Sequence, residues 1–127
     1  MPTTAKQLIE AANAAVPKIT GAQAQEMVAN GAVIIDVRDS AEVAQTGKAA
    51  GALHIPRGSL EFKADTTSPT AEKALSTDKT VILHCASGGR AALAGKLLKD
   101  MGYEKVYNLG GFKDWVEAGG KVDKAGA

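Results

Sequence analysis

Two short apolar runs constrain the fold of this chain most tightly. Residues 32–37 read AVIIDV, and residues 81–84 read VILH. Continuous apolar runs without polar alternation are typical of strands that are covered on both faces. Helical patterns lie between the runs, and strands that alternate with helices favour a parallel sheet. The sequence therefore predicts an α/β domain with helices on both faces of its sheet.

Weaker patterns supply the remaining elements. Residues 52–55 and 105–109 have strand character, and Ile19 lies in a short extended segment. Thr3 or Thr4 can cap a first helix that ends at Pro17, and Thr20 opens a second helix that stops at Asn30 and Gly31. Helices are predicted over residues 3–16, 20–30, 41–45, 70–75 and 90–101, and in a short segment that contains Phe112, Trp115 and Val116.

The length of 127 residues suits one compact domain. We divide the chain into an N-terminal helix packed on the domain (residues 1–17), the domain itself (18–120) and a small, polar, flexible tail (121–127). A monomer is the default expectation for a chain of this size.

The charge balance argues against several partners. The net charge is +1, which gives no overall field to attract nucleic acid or an anionic membrane. The apolar runs are too short to span a bilayer. The first residues lack the continuous apolar core of a signal peptide, so we expect a cytoplasmic location.

The chain has a single cysteine, Cys85. An internal disulfide is therefore impossible, and only His54 and His84 could add nitrogen ligands for a metal. We expect neither a metal nor an organic cofactor. Any sulfur that Cys85 carries must leave to an outside thiol or another nucleophile, because no second cysteine can resolve it.

The cysteine ends a strand and opens a glycine-rich loop that runs into a helix. The loop is Cys85-Ala86-Ser87-Gly88-Gly89-Arg90. Unpaired N–H groups at a helix start attract anions, and glycines let successive N–H groups point inward. The arginine adds a permanent positive charge. The loop thus predicts a stabilised, nucleophilic thiolate, although a lone cysteine can also be an inert buried apolar residue.

The order of motifs closely resembles the rhodanese homology domain. The matching segments are IIDVRDSAE (34–42), GALHIPRG (51–58) and HCASGGRAALAGKLLKDMGYEKVYNLGGFKDW (84–115), and the resemblance spans residues 18–120. It implies a five-stranded parallel sheet flanked by helices. It also implies that Cys85 accepts sulfane sulfur from thiosulfate or a persulfide donor and passes the sulfur to a thiol or to cyanide.

The resemblance also assigns roles within the loop. Cys85 would be the nucleophile, and backbone N–H groups would form an anion cradle from Ala86, Ser87, Gly88, Gly89 and Arg90. Related phosphatases have one more residue between cysteine and arginine, which widens the cradle for phosphate. Four residues separate Cys85 from Arg90 here, a spacing that favours sulfur transfer.

Other charged residues have structural or entrance interpretations. Asp36, Arg38 and Glu42 match a D-x-R…E pattern, which we interpret as a structural ion-pair network that supports the loops. Arg57 and Lys63 follow the third strand, where they could line the entrance for an anionic donor or be solvated surface charges. His84 should face away from Cys85, because neighbouring strand residues point to opposite faces.

The main functional hypothesis is a thiosulfate sulfurtransferase that works through a Cys85 persulfide. Its partners would be a small anionic sulfur donor and a thiol acceptor, which could be a protein. One alternative is a non-enzymatic sulfur-relay or binding module that uses the same cradle. A phosphatase or arsenate reductase of related fold is a further alternative.

Overall fold

The computed structural model of the protein describes residues 2–124. The helices are α1 (Ala5–Ala15), α2 (Gly21–Ala29), α3 (Ser40–Thr46), α4 (Leu60–Ala64), α5 (Gly89–Asp100) and α6 (Phe112–Glu117). The strands are β1 (Val33–Asp36), β2 (Lys48–Ala49), β3 (Leu53–His54), β4 (Thr80–Cys85), β5 (Lys105–Gly111) and β6 (Val122–Asp123). A 3-10 turn, Arg57–Ser59, precedes α4.

The main sheet has four parallel strands in the order β3-β1-β4-β5. The expectation of five strands is wrong by one. The fifth is reduced to one parallel bridge between Lys18 and Asn108, supported by a 3.0 Å hydrogen bond from the N–H of Ile19 to the Asn108 carbonyl. Pro17 has no N–H to extend the ladder, and Thr20 already caps α2, so the segment is too short to become a strand.

Helices cover both faces of this sheet, as the uninterrupted apolar runs predict. Ile35 and Leu83 belong to a core cluster that α1, α4 and α5 enclose. Ile34 and Ile82 face the opposite way, into a second cluster that includes Trp115 of α6. The two strands that carry Asp36 and Cys85 are therefore held rigidly from both sides.

The N-terminal helix lies directly on α5. Thr4 caps α1 by accepting the N–H of Gln7, whose side chain in turn accepts the N–H of Thr4. At the other end of α1, Val16 is buried. A Cβ atom at Gly95 would lie only 2.9 Å from the Val16 side chain, so this glycine permits the close approach of the two helices.

The end of the chain differs from the predicted flexible tail over 121–127. Val122–Asp123 pair in antiparallel fashion with β2, and the Asp123 carboxylate accepts the N–H of Gly51 at 3.1 Å. The indole N–H of Trp115 donates to the Lys121 carbonyl at 2.7 Å. These contacts depend on residues distant in sequence, which composition does not reveal. Residues 125–127 lie outside the described residues.

The helix predicted over residues 70–75 is also wrong. Turns occupy this region, and a helix forms earlier, at α4. Asp65 accepts the N–H of Thr67, and Ser68 accepts the N–H of Thr70, so short polar side chains compete with a helical ladder. None of the helices within residues 2–124 is both long and apolar enough to span a bilayer.

Candidate active site

Cys85 lies at the carboxyl end of β4, at the base of a tight loop. Its side chain is 1% exposed, whereas Ala86 and Ser87 above it are exposed. The backbone N–H of Gly88 points at the Cys85 sulfur, with an N–Sγ distance of 2.9 Å. Helix α5 begins at Gly89, so its positive dipole end faces the same point. The loop can therefore stabilise negative charge on the sulfur.

Glycines allow this loop to close. Gly88 has a φ angle of +106°, which residues with a side chain rarely adopt. A Cβ atom at Gly88 would also lie 3.4 Å from the Cα of Gly110 at the end of β5. A Cβ atom at Gly111 would lie 2.5 Å from the Ala86 carbonyl oxygen. The loop therefore packs directly against Gly110 and Gly111 at the end of β5.

Arg90 forms a bidentate ion pair with Glu42. Its Nη1 and Nη2 atoms donate to the two carboxylate oxygens at 2.7 and 2.9 Å. The hydrogen bonds from Arg90, together with one from the N–H of Asp39, lower the pKa of Glu42 to about 2. The same pair raises the pKa of Arg90. Glu42 therefore remains charged at neutral pH and anchors the first turn of α5 to α3.

Asp36 and Arg38 form a separate, buried pair. Arg38 is 3% exposed and donates through Nη2 to Asp36 at 2.7 Å and to the carbonyl of Gly47 at 2.9 Å. Its guanidinium carbon also lies 4.5 Å from the centre of the Phe112 ring. Burial alone would raise the pKa of Asp36. The hydrogen bonds from Arg38 and the electrostatic effect of His84 together outweigh the effect of burial, so the pKa of Asp36 lies below its ordinary value.

The sequence grouped Asp36, Arg38 and Glu42 as one network, whereas the structure divides them. Asp36 and Arg38 tie β1 to the end of α3, and Glu42 on α3 reaches the loop through Arg90. The pairing of Glu42 with Arg90 is a contact that the sequence reasoning did not find. Residues 48 positions apart carry no local signal of such a pair.

His84 is fully buried and lies against α6. Its ring is centred 6.0 Å from the Phe112 ring, and its Nε2 atom lies 3.7 Å from an Asp36 carboxylate oxygen. Within residues 2–124, Nε2 has no hydrogen-bond partner. Burial lowers the pKa of His84, although the Asp36 carboxylate opposes the shift. Cys85 belongs to the core cluster on the α5 side, so the two neighbouring side chains face opposite sides of the sheet.

The two candidate entrance cations lie on the segment after β3. Arg57 is part-buried and pairs with Glu61 at 3.5 Å. It borders a groove of about 490 Å³ between α1 and α5, where Leu8 and Leu93 are among the lining residues. Lys63 is exposed on α4. An entrance role for either residue stays a prediction.

Asn108 is a site residue that the sequence reasoning missed. It is 3% exposed, although it lies in the apolar strand β5. Its side-chain oxygen accepts the N–H of Gly110 at 2.7 Å, and its side-chain nitrogen donates to the Gly88 carbonyl at 3.4 Å. An amide that interrupts a buried run is the signal that could have revealed it, since buried polar groups need partners.

Among residues 2–124, no group of three or more His, Cys, Asp or Glu side chains is placed to hold a metal ion. The chemistry available here belongs to one thiol, the backbone N–H groups around it and the Glu42–Arg90 pair.

Fold and site together define a class of protein. It is a parallel α/β domain whose strand-end cysteine lies in a glycine-rich loop at a helix start, with the Gly88 N–H aimed at the sulfur. The sequence matches the rhodanese-like domain family over residues 20–118, and the chain belongs to that family. The resemblance inferred from the motifs is confirmed.

Three similar proteins carry names that point to different activities. The thiosulfate sulfurtransferase GlpE of Haemophilus influenzae is 32% identical over 110 residues, which cover 85% of this chain and 95% of GlpE. Protein RPA3614 of Rhodopseudomonas palustris, designated a possible tyrosine phosphatase, is 37% identical with a TM-score of 0.84, covering 97% of this chain and 99% of that one. The polysulfide-sulfur transferase homodimer of Wolinella succinogenes is 31% identical with a TM-score of 0.75. The match covers 95% of this chain and 88% of the Wolinella chain.

Proposed function

We propose that this protein is a sulfurtransferase that moves sulfane sulfur from thiosulfate or a persulfide donor to a thiol or cyanide. The sulfur travels as a persulfide on Cys85. The observation that carries the proposal is the 2.9 Å hydrogen bond from the Gly88 N–H to the Cys85 sulfur. A backbone donor aimed at that sulfur stabilises the thiolate, which is the nucleophilic form of cysteine.

The reaction has two displacement steps. The Cys85 thiolate attacks the outer sulfur of thiosulfate; a new S–S bond forms, the old S–S bond breaks, and sulfite leaves with the electron pair. The acceptor, a thiolate or cyanide, then attacks the outer sulfur of the persulfide, and the Cys85 thiolate is released. No external oxidant is needed, because each step exchanges one bond to sulfur for another.

The protein contributes electrostatics and position to both steps. Negative charge resides on the Cys85 sulfur before transfer and on the outer sulfur afterwards. Backbone N–H groups at the start of α5 are fixed before the reaction and need no reorganisation to meet that charge. Glu42 offsets part of the charge of Arg90, whereas the Gly88 N–H lies 2.9 Å from the Cys85 sulfur and has its full dipole aimed at it.

The test is formation of thiocyanate from thiosulfate and cyanide. The wild-type protein should turn over, and Cys85→Ser should not. Intact mass after thiosulfate treatment should rise by one sulfur atom in the wild type alone. Absence of both turnover and the added sulfur would contradict the proposal.

One comparison favours polysulfide as an alternative donor. The Wolinella relative is named a polysulfide-sulfur transferase, and a polysulfide, like thiosulfate, carries a sulfane sulfur that the Cys85 thiolate can attack. Polysulfide and thiosulfate should therefore be compared as donors at equal sulfane sulfur. Rapid loading of Cys85 by polysulfide, with slow turnover of thiosulfate, would favour polysulfide as the donor.

A phosphatase is the competing enzyme class, because RPA3614 carries that designation. The four residues between Cys85 and Arg90 argue against it, since the related phosphatases have one more residue in this loop. Hydrolysis of p-nitrophenyl phosphate that is lost in Cys85→Ser would favour phosphoryl transfer over the sulfur chemistry.

A further inference from the structure

Asn108 lies where the pairing of β4 with β5 changes register. Leu83 pairs with Asn108, but His84 pairs with Gly110, so Leu109 is an extra residue in β5. Bulges of this kind bend a strand and redirect side chains, and they are frequent beside active sites. The irregularity falls one residue before Cys85 on the neighbouring strand.

The side chain of Asn108 spans two glycine segments. Its oxygen accepts the Gly110 N–H at 2.7 Å, and its nitrogen donates to the Gly88 carbonyl at 3.4 Å. Gly88 and Gly110 have φ angles of +106° and +96°. Glycine imposes almost no preference of its own at such angles, so the conformation must be fixed from outside. Asn108 is the side chain that contacts both.

The orientation of Gly88 matters because its N–H donates to the Cys85 sulfur. Its carbonyl accepts the Ala92 N–H at 2.9 Å in addition to the Asn108 amide. Helix α5 thus holds the Gly88 carbonyl from one direction, and Asn108 holds the same carbonyl from the direction of β5. Because glycine is free to rotate about φ and ψ, we expect loss of the second contact to let the Gly88 backbone turn and to weaken the hydrogen bond from its N–H to the sulfur.

We propose that Asn108 is a positioning residue for the cradle, whose side-chain amide holds Gly88 so that its N–H stays aimed at the Cys85 sulfur. The inference rests on the proposed function in one respect, namely that the Gly88 N–H serves sulfur transfer. It acts through Gly88 and does not touch the sulfur itself.

Two substitutions separate the contacts of the amide. Asn108→Asp keeps an oxygen for the Gly110 N–H but has no donor for the Gly88 carbonyl. Because the new carboxylate would also repel a thiolate, Asn108→Ser serves as the neutral counterpart with a side chain too short to span both glycines. Asn13→Asp, on the exposed face of α1, is the charge-matched control.

The readout is the rate at which iodoacetamide alkylates Cys85 between pH 5 and 10, together with the urea midpoint of unfolding. Both Asn108 variants should react about tenfold more slowly than the wild type at pH 6.5, and the pH of half-maximal rate should move upward. Asn13→Asp should match the wild type. A purely structural role would change the urea midpoint and leave the pH profile in place.

The proposal is overturned if a folded Asn108→Asp or Asn108→Ser variant has the wild-type pH profile of alkylation. Alkylation requires no sulfur donor, so this result is independent of the thiocyanate assay. A wild type that transfers no sulfur but responds to Asn108 substitution would contradict the proposed function alone. A sulfurtransferase whose Cys85 reactivity is insensitive to Asn108 would contradict only the positioning role.

Discussion

Arg90 and Glu42 form a bidentate ion pair, with N–O distances of 2.7 and 2.9 Å, that joins the start of α5 to α3. The last residue of the cradle is therefore held by its side chain from across the site, and its backbone is fixed with it. Both side chains are about one-third exposed, so solvent screens the attraction. The pair's main effect is to fix geometry, and its contribution to folding is modest.

Glu42→Gln should lower the free energy of unfolding by about 0.5–1 kcal/mol at pH 7. Because the pKa of Glu42 is about 2 in the folded protein and ordinarily 4.5, the wild-type advantage should be complete above pH 4.5 and disappear as the pH falls toward 2. Urea unfolding at several pH values measures this difference. Glu26→Gln, at an exposed carboxylate, is the control; an equal loss in that variant would contradict a specific role of the pair.

Gly88→Ala should inactivate the cradle. The substitution forces a side chain into a φ of +106° and brings its Cβ within 3.4 Å of Gly110. Gly31→Ala is a matched control, because Gly31 has a φ of +100° and no atom of the described residues lies within 4 Å of the added Cβ. Both variants should lose about 1–2 kcal/mol of stability in urea unfolding. Only Gly88→Ala should also lose alkylation and sulfur loading of Cys85; equal losses of reactivity in both would refute the local explanation.

Arg38→Ala should destabilise the fold far more than removal of a surface arginine. It leaves the carboxylate of Asp36 buried without its partner, which costs about 3–5 kcal/mol. Arg57→Ala breaks a part-exposed pair with Glu61 and should cost at most about 1 kcal/mol. Urea unfolding compares the two, and similar losses would contradict the structural interpretation of Asp36 and Arg38.

Arg57→Ala also tests the entrance hypothesis. If Arg57 attracts the anionic donor, its loss should raise the KM for thiosulfate a few-fold and leave kcat unchanged, and added salt should reduce the difference. Lys63→Ala is the comparison at the second candidate residue. An unchanged KM in both variants at low salt would assign both cations to the solvated surface.

Local patterns in the sequence predicted most of the fold. Continuous apolar runs at β1 and β4 indicated burial on both faces of these strands. Thr4 and Thr20 indicated the helix starts, because threonine caps helices through its side-chain oxygen. The reduction of the fifth strand to one bridge, and the strand within the predicted tail, could not be predicted in this way. Lys18 forms only one bridge, and Val122–Asp123 form a strand because β2 lies beside them, so both outcomes depend on tertiary contacts.

The candidate site shows the same division. The cysteine, the glycines and the helix start are contiguous, so their spacing could be read directly from the sequence. Glu42 and Asn108 reach the loop from α3 and β5. The role of Glu42 depends on which elements lie side by side, which leaves no local pattern, and the local sign of Asn108 is an amide within an apolar strand.

His84 should make the fold sensitive to mild acid. Its ring faces the Asp36 carboxylate at the end of β1, Arg38 just beyond that strand, and Phe112 of α6. Burial lowers the pKa of His84 below the ordinary 6.5. Below that pH the unfolded chain binds a proton that the folded protein resists, so the free energy of unfolding should fall as the pH drops through 6.5.

His84→Gln removes this titration. The wild type should lose stability between pH 7.5 and 5.5 in urea unfolding experiments, and the variant should lose less, even if it is less stable at pH 7.5. The comparison uses the change with pH within each protein, so a general packing defect does not affect it. Since Asp36 stays ionised throughout this range by virtue of its lowered pKa, it contributes the same charge in both proteins. Parallel pH profiles would show that burial of a neutral His84 is not what makes the fold acid-sensitive.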